Sequence, residues 1–174
     1  ASTYNTQGAT TRAIAGYDAA DTNGNVMGVT LNTETGNFTH SIDGDTVTLS
    51  ANAAGDYVIL ISLSSNYVWG EEDAAPGTNA AYQLTWTVNP ATIAYPTATP
   101  STYNPDGATP GEITGFIATD TNGTVMTSSR VTTTGNFSVD GDRLSATAAG
   151  GYTINIELSS NYVWADTNEN SDYE

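Results

Sequence analysis

The sequence predicts an all-β chain of two tandem antiparallel β-sandwiches with no substantial helix. Three observations predict it. The stretch Leu63-Ser64-Ser65-Asn66-Tyr67-Val68-Trp69 returns unchanged at Leu158-Ser159-Ser160-Asn161-Tyr162-Val163-Trp164. An identical recurrence containing Trp marks one structural unit written twice. Short strand patterns recur roughly every eight to twelve residues with turn signals between them, as in antiparallel sandwiches. No long window carries helical periodicity. At 174 residues the chain fits two domains, drawn as residues 1–90 and 91–174.

In chain order, residues 1–11 read as an extended lead-in, and residues 12–18 as a short strand. Asp21-Thr22-Asn23-Gly24 is a turn in which Asn-Gly supplies positive φ. Residues 25–31 form the next strand, Thr35-Gly36-Asn37 turns, and residues 38–42 follow. Asp43-Gly44-Asp45 makes a tight hairpin into residues 46–51. The strongest strand covers residues 56–64, and its alternation puts Tyr57, Ile59, Ile61 and Leu63 on one face. An acidic loop, residues 70–79, carries Pro76-Gly77. In residues 82–88, Tyr82, Leu84, Trp86 and Val88 alternate with Gln83, Thr85 and Thr87. Asn89-Pro90 ends that strand, residues 91–95 form a short apolar one, and residues 96–100 are a stiff connector.

The second copy follows the first. Tyr103-Asn104, Gly107-Ala108-Thr109, Ile113 and Gly115 match Tyr4-Asn5, Gly8-Ala9-Thr10, Ile14 and Gly16 at an offset of 99. Asp140-Gly141-Asp142 matches the first hairpin, and the strong strand recurs over residues 152–158. The offset shrinks only in turns, where insertions are cheap. Tyr57 and Tyr152, each opening a strong strand after Ala-Gly, have the placement of the corner tyrosine of immunoglobulin-like folds.

Gly16-Tyr17-Asp18-Ala19-Ala20, Ala54-Gly55-Asp56-Tyr57-Val58, Asn66-Tyr67-Val68-Trp69 and Leu84-Thr85-Trp86-Thr87-Val88 together carry a resemblance. The chain resembles the immunoglobulin-like tandem repeats of bacterial cell-surface and secreted proteins. The resemblance covers nearly all of copy one and most of copy two. It implies a stalk, adhesin or filament segment, extracellular or at the cell surface, with no catalytic residues. One departure is clear: the counterpart of residues 82–88 does not follow Trp164, and residues 92–95 have no counterpart before copy one. Two expectations follow. The chain is cut out of frame from a longer array, or a neighbouring chain supplies the strand, making a head-to-tail filament. A separate interface is expected at Val58, Leu60, Tyr82, Leu84 and Trp86, with the Val58–Leu60 face covered by the linker, by copy two or by another chain. Val58 and Leu60 are apolar on the outward face where copy two has Thr153 and Asn155. The partners expected are neighbouring repeats or copies of the chain itself, with a host or glycan ligand left open.

The charge is one-sided: Asp+Glu number 19 against three cations, for a net −16. The cations are Arg12, Arg130 and Arg143, and there is no Lys. Phosphate and anionic membrane are bound by Lys and Arg, so nucleic acid and acidic lipid are excluded as partners. No stretch is apolar enough to span a bilayer. Ala1 reads as the start of a mature or excised segment. The absence of Cys removes thiol catalysis and thiolate metal sites.

Chemistry-bearing constellations are few. His40 is the one His; it builds neither a zinc site nor a triad and is read as a strand or turn residue. Asp43, Asp45, Asp140 and Asp142 are hairpin residues first, with calcium as the alternative because hard cations take clustered oxygens. Asp18-x-x-Asp21-x-Asn23-x-Asn25 superficially resembles a calcium loop but lacks the closing Glu, and is read as a turn. No cofactor is expected beyond that calcium. Isopeptide cross-links need Lys; a Thr–Gln ester needs Gln7 or Gln83, which copy two does not repeat. Asn37, Asn122 and Asn136 open glycosylation sequons. Trp69, Trp86 and Trp164 are read as core rather than as sugar-stacking platforms. The best reading is a non-enzymatic structural or adhesion module. The alternative is a glycan- or calcium-binding module of a secreted protein.

Overall fold

A computed structural model describes residues 1–33, 37–70, 77–133 and 135–166. The described residues are all β, without a helix and about 52% strand. Contacts divide the chain into two compact units, Ala1–Pro90 and Ala91–Glu174. The turn expected at Thr35-Gly36, residues 71–76 of the acidic loop and residues 167–174 lie outside the described residues.

The described residues of unit 1 form nine strands: β1 (Ser2–Thr3), β2 (Thr10–Ile14), β3 (Ala20–Asp21), β4 (Gly24–Asn25), β5 (Met27–Leu31), β6 (Phe38–Asp43), β7 (Thr46–Ala51), β8 (Gly55–Leu63) and β9 (Tyr82–Asn89). One sheet runs β1-β9-β8-β5, another β2-β7-β6, and β3-β4 is a ribbon. Strand alternation builds the core. Val47, Leu49 and Ala51 of β7, Tyr57, Ile59 and Ile61 of β8, and Trp86 and Val88 of β9 are all buried. Phe38 of β6 reaches across to Tyr57 and Trp86, with ring centroids 4.6 and 6.0 Å apart.

The hairpin between β6 and β7 is two residues long, closed by the pair Asp43 and Thr46. Gly44 alone takes positive φ there, +57°, which suits glycine at the first position of a II′ turn. The β3–β4 turn differs from the expected one. Its loop residues are Thr22 and Asn23, no non-Gly residue has positive φ, and Gly24 at +125° is already paired with Asp21. The Asp21 carboxylate closes the turn instead, accepting the Asn23 N–H at 2.7 Å, as Asx turns do. The lead-in also does more than expected. β1 pairs in parallel with β9, and Tyr4 is a core residue, 4% exposed.

The described residues of unit 2 form ten strands: β10 (Ala91–Ile93), β11 (Thr97–Ala98), β12 (Thr109–Thr114), β13 (Thr119–Asp120), β14 (Gly123–Thr124), β15 (Met126–Arg130), β16 (Phe137–Asp140), β17 (Arg143–Ala146), β18 (Ile154–Leu158) and β19 (Tyr162–Trp164). Its sheets are small: β11-β12-β17-β16, and the pairs β15-β18, β10-β19 and β13-β14. The strand expected over residues 91–95 stops at Ile93, where it has paired in parallel with β19. The shared strands keep their register. Met126 opposes Leu158 as Met27 opposes Leu63. The offset between the copies, however, shrinks within the hairpin strands, six residues each in β6 and β7 against four each in β16 and β17, and not only in turns as expected.

β18 is where the units part. Its counterpart β8 has nine residues and lies between β5 and β9. β18 has five and, among the described residues, pairs only with β15. A strand lacking a partner on one side loses half the ladder that holds its ends extended.

Candidate binding groove

The recurrent seven residues are occupied with structure. The Tyr67 hydroxyl donates to Asp21 Oδ2, and the Tyr162 hydroxyl donates to Asp120 Oδ2 at 2.6 Å. Each Tyr thus ties the corner after the strong strand to the carboxylate that closes the first ribbon. The Tyr67 hydrogen bond, followed by the Asn23 N–H, holds the Asp21 carboxyl below its ordinary pKa. The same bond pushes the Tyr67 phenol up, helped by burial and by the Asp21 and Asp18 charges. Trp69 Nε1 donates to the Ala80 carbonyl at 2.7 Å, and its ring lies 5.9 Å from Tyr82. Trp164 stacks on Tyr95 at 4.7 Å. The Ser64 and Ser159 hydroxyl oxygens are buried without a hydrogen-bond partner.

Tyr57 and Tyr152 behave alike. Tyr57 donates to the Ala53 carbonyl at 2.8 Å, and Tyr152 to the Ala148 carbonyl at 2.6 Å. Burial raises the pKa of Tyr57.

The carboxylates considered for calcium sit at hairpins. Asp43 and Asp140 end β6 and β16. Asp45 Oδ1 accepts the Ala19 N–H at 3.3 Å, and the Asp142 carbonyl accepts the Ile113 N–H at 2.7 Å. Among the described residues, no three His, Asp or Glu side chains gather closely enough to hold a metal ion. His40 lies in β6 opposite Leu49. Val58 and Leu60 are half-buried, Tyr82 is 36% exposed, and Trp86 is 2% exposed in the unit 1 core.

Trp86 defines a filled site. Its ring meets Phe38 and Tyr57, centroids 6.0 and 5.7 Å away, and its Nε1 donates to Ser2 Oγ at 3.0 Å. The counterparts of those three partners are Phe137, Tyr152 and Ser101. In unit 2 all three line one cavity of about 390 Å³, with Tyr103, Leu144 and Ile154 among the other walls. Phe137 and Tyr152 stack on each other at 4.5 Å. Ser101 Oγ turns to the Pro110 carbonyl at 3.0 Å.

Side-chain exposure follows the same division. Tyr57, Ile59 and Ile61 are 3%, 0% and 5% exposed, whereas Tyr152, Ile154 and Ile156 are only half-buried. Tyr4 is 4% exposed and its counterpart Tyr103 48%. The missing strand is legible in the sequence, whereas Ser101, Tyr103 and Phe137 emerge as walls of the space beside it only in the structure. The signal was available, since each stands 99 positions after Ser2, Tyr4 and Phe38.

No protein-family model matches the chain, and neither the curated proteins nor the solved structures gave a match.

Proposed function

We propose that the chain is a non-enzymatic structural module: two tandem immunoglobulin-like β-sandwiches forming a segment of an extracellular stalk, adhesin or filament. One observation carries this reading. The residues that recur between the units do the same structural work in each. Tyr67 and Tyr162 bind the ribbon carboxylates Asp21 and Asp120. Tyr57 and Tyr152 bind the carbonyls four residues upstream, the bond of a tyrosine corner. In unit 1 the sheets β1-β9-β8-β5 and β2-β7-β6 meet through Phe38, Tyr57 and Trp86, which supports a sandwich. Duplicating such a unit adds length and sites for neighbours. The net charge of −16 supports partners other than nucleic acid.

Single-molecule stretching of the chain tests the reading. Two separate unfolding steps are expected, each releasing about 300 Å of chain at ~3.3–3.6 Å per extended residue. Extension without a resisting step would refute a load-bearing role. Micromolar glycan binding lost on substitution of exposed Tyr95 would assign the chain to sugar recognition instead.

A further inference from the structure

We propose that unit 2 is a strand acceptor. Its groove takes an extended apolar peptide strand of the chemistry of residues 82–88, antiparallel to β18, with a Trp indole among Ser101, Phe137 and Tyr152. The proposal rests on the structural-module reading above and names what one module binds.

Unit 1 shows the occupied form of the same site. There β9 lies between β1 and β8, antiparallel to β8 and parallel to β1. In unit 2 the residues of both flanks are present, and among the described residues no strand lies between them. Ser101 and Thr102, the counterparts of β1, belong to no strand. β18 keeps its pairing with β15, and its other edge has no strand partner among the described residues. Between the flanks lies the cavity lined by Ser101, Phe137 and Tyr152. Its ligand is therefore specified twice: by a backbone edge that pairs with an extended chain, and by apolar positions two residues apart on one face.

The register transfers directly. In unit 1, Tyr57 opposes Trp86, Ile59 opposes Leu84 and Ile61 opposes Tyr82. The incoming strand then sets its Trp opposite Tyr152, its Leu opposite Ile154 and its Tyr opposite Ile156. Those three residues of unit 2 are half-buried. Ser101 Oγ, while donating to Pro110, keeps lone pairs that accept an indole N–H. Binding extends β18 back toward Gly150, the counterpart of the first residue of β8.

β9 of a second copy is not the occupant. Trp86 and Val88 are 2% and 1% exposed, and withdrawing them empties unit 1 to fill unit 2. No other segment of the sequence has the Tyr-x-Leu-x-Trp-x-Val alternation. The occupant is an extended strand of that chemistry that residues 1–174 do not supply.

The test uses the full chain and a synthetic peptide of residues 81–90. Saturable one-to-one binding is expected, weakened at least tenfold when the peptide carries Trp86→Ala. Because the chain has no Cys, register is read by cross-linking. Thr153 is exposed and is the counterpart of Val58, which opposes Thr85. A Thr153→Cys chain should form a disulfide with a Thr85→Cys peptide and not with a Thr87→Cys peptide, since directly opposed strand residues lie within disulfide reach. Absence of binding up to about 1 mM, or equal cross-linking in both registers, overturns the proposal. So does a concentration-dependent dimer of the chain abolished by Trp86→Ala, which would give the groove to a second copy. Failure here with both stretching steps intact removes the groove proposal alone; loss of the steps removes the module reading.

Discussion

Removing the Trp86 side chain should cripple unit 1 and leave unit 2 nearly untouched. Trp86 is 2% exposed, in the middle of β9, and packs on Phe38 and Tyr57. Truncating a buried aromatic to Ala costs about 3–5 kcal/mol. A unit of this length has a net stability of about 5–13 kcal/mol, so Trp86→Ala removes a large share of it. At about 4–8 °C per kcal/mol, the unit 1 transition should fall by more than about 10 °C. Trp86→Phe separates the terms. It keeps a ring against Phe38 and Tyr57 but loses the 3.0 Å bond to Ser2, and with it roughly 1–2 kcal/mol from the hydrogen bond and the lost area. Hydrogen exchange read by mass spectrometry resolves the units. In Trp86→Ala, protection should drop across β7, β8 and β9 and persist across β15 and β18. A loss within about 1 kcal/mol, or an equal loss of protection in both units, would refute the assignment of Trp86 as the residue that closes unit 1.

Further outcomes follow from single contacts. Tyr57→Phe and Tyr152→Phe should each cost about 1 kcal/mol by denaturant titration, because each deletes one bond to a carbonyl; no loss at either would remove the corner assignment. Ser64→Ala and Ser159→Ala should each stabilise by about 1 kcal/mol, since the hydroxyls are buried unpaired; destabilisation would mean that a partner exists. The Asp21–Tyr67 bond gives stability a pH dependence at both ends. Asp21 has a lowered folded pKa, so its contribution is present above the ordinary carboxylate value of about 3.9 and is lost as pH falls through the lower folded value. Tyr67 has a raised folded pKa, so its contribution is present below about pH 10 and is lost as pH rises through the higher folded value. Asp21→Asn should flatten the acid limb of a melting-temperature profile and Tyr67→Phe the alkaline limb; an unchanged profile in either variant would refute the coupling.

What the sequence made legible was whatever local pattern controls. The alternation of Tyr57, Ile59 and Ile61 marked β8 and its buried face, because period two is written in adjacent residues. Asp43-Gly44 marked a hairpin whose Gly44 takes the positive φ that only the turn demands. What stayed hidden depends on partners far away in the chain. The pairing of β1 with β9 joins Ser2 to Val88, and a two-residue strand has no period to detect. The Asp21–Tyr67 bond spans 46 positions; only the return of both residue types at Asp120 and Tyr162 pointed to it.

Duplication allows one more step, because each unit serves as a control for the other. Tyr57 and Tyr152 both follow an Ala-Ala-Gly-x segment, make the same bond to the carbonyl four residues back, and face a counterpart Phe at 4.6 and 4.5 Å. Yet one is 3% exposed and the other half-buried. The side chains that share the tyrosine's face, Ile59 and Ile61 against Ile154 and Ile156, are the same in both units, so the difference belongs to the strand each tyrosine faces. β9 covers the first. The second borders a cavity whose walls repeat the partners of Trp86. The corner tyrosine and its Phe neighbour are therefore set by their own segment, while burial of the strong strand is set by the strand that pairs with it. It follows that a bound strand should protect Ile154 and Ile156 and leave the Tyr152–Ala148 bond unchanged. If peptide binding instead moved Tyr152 off the Ala148 carbonyl, the corner and the groove would be one coupled element, and the independence argued from the two units would be wrong.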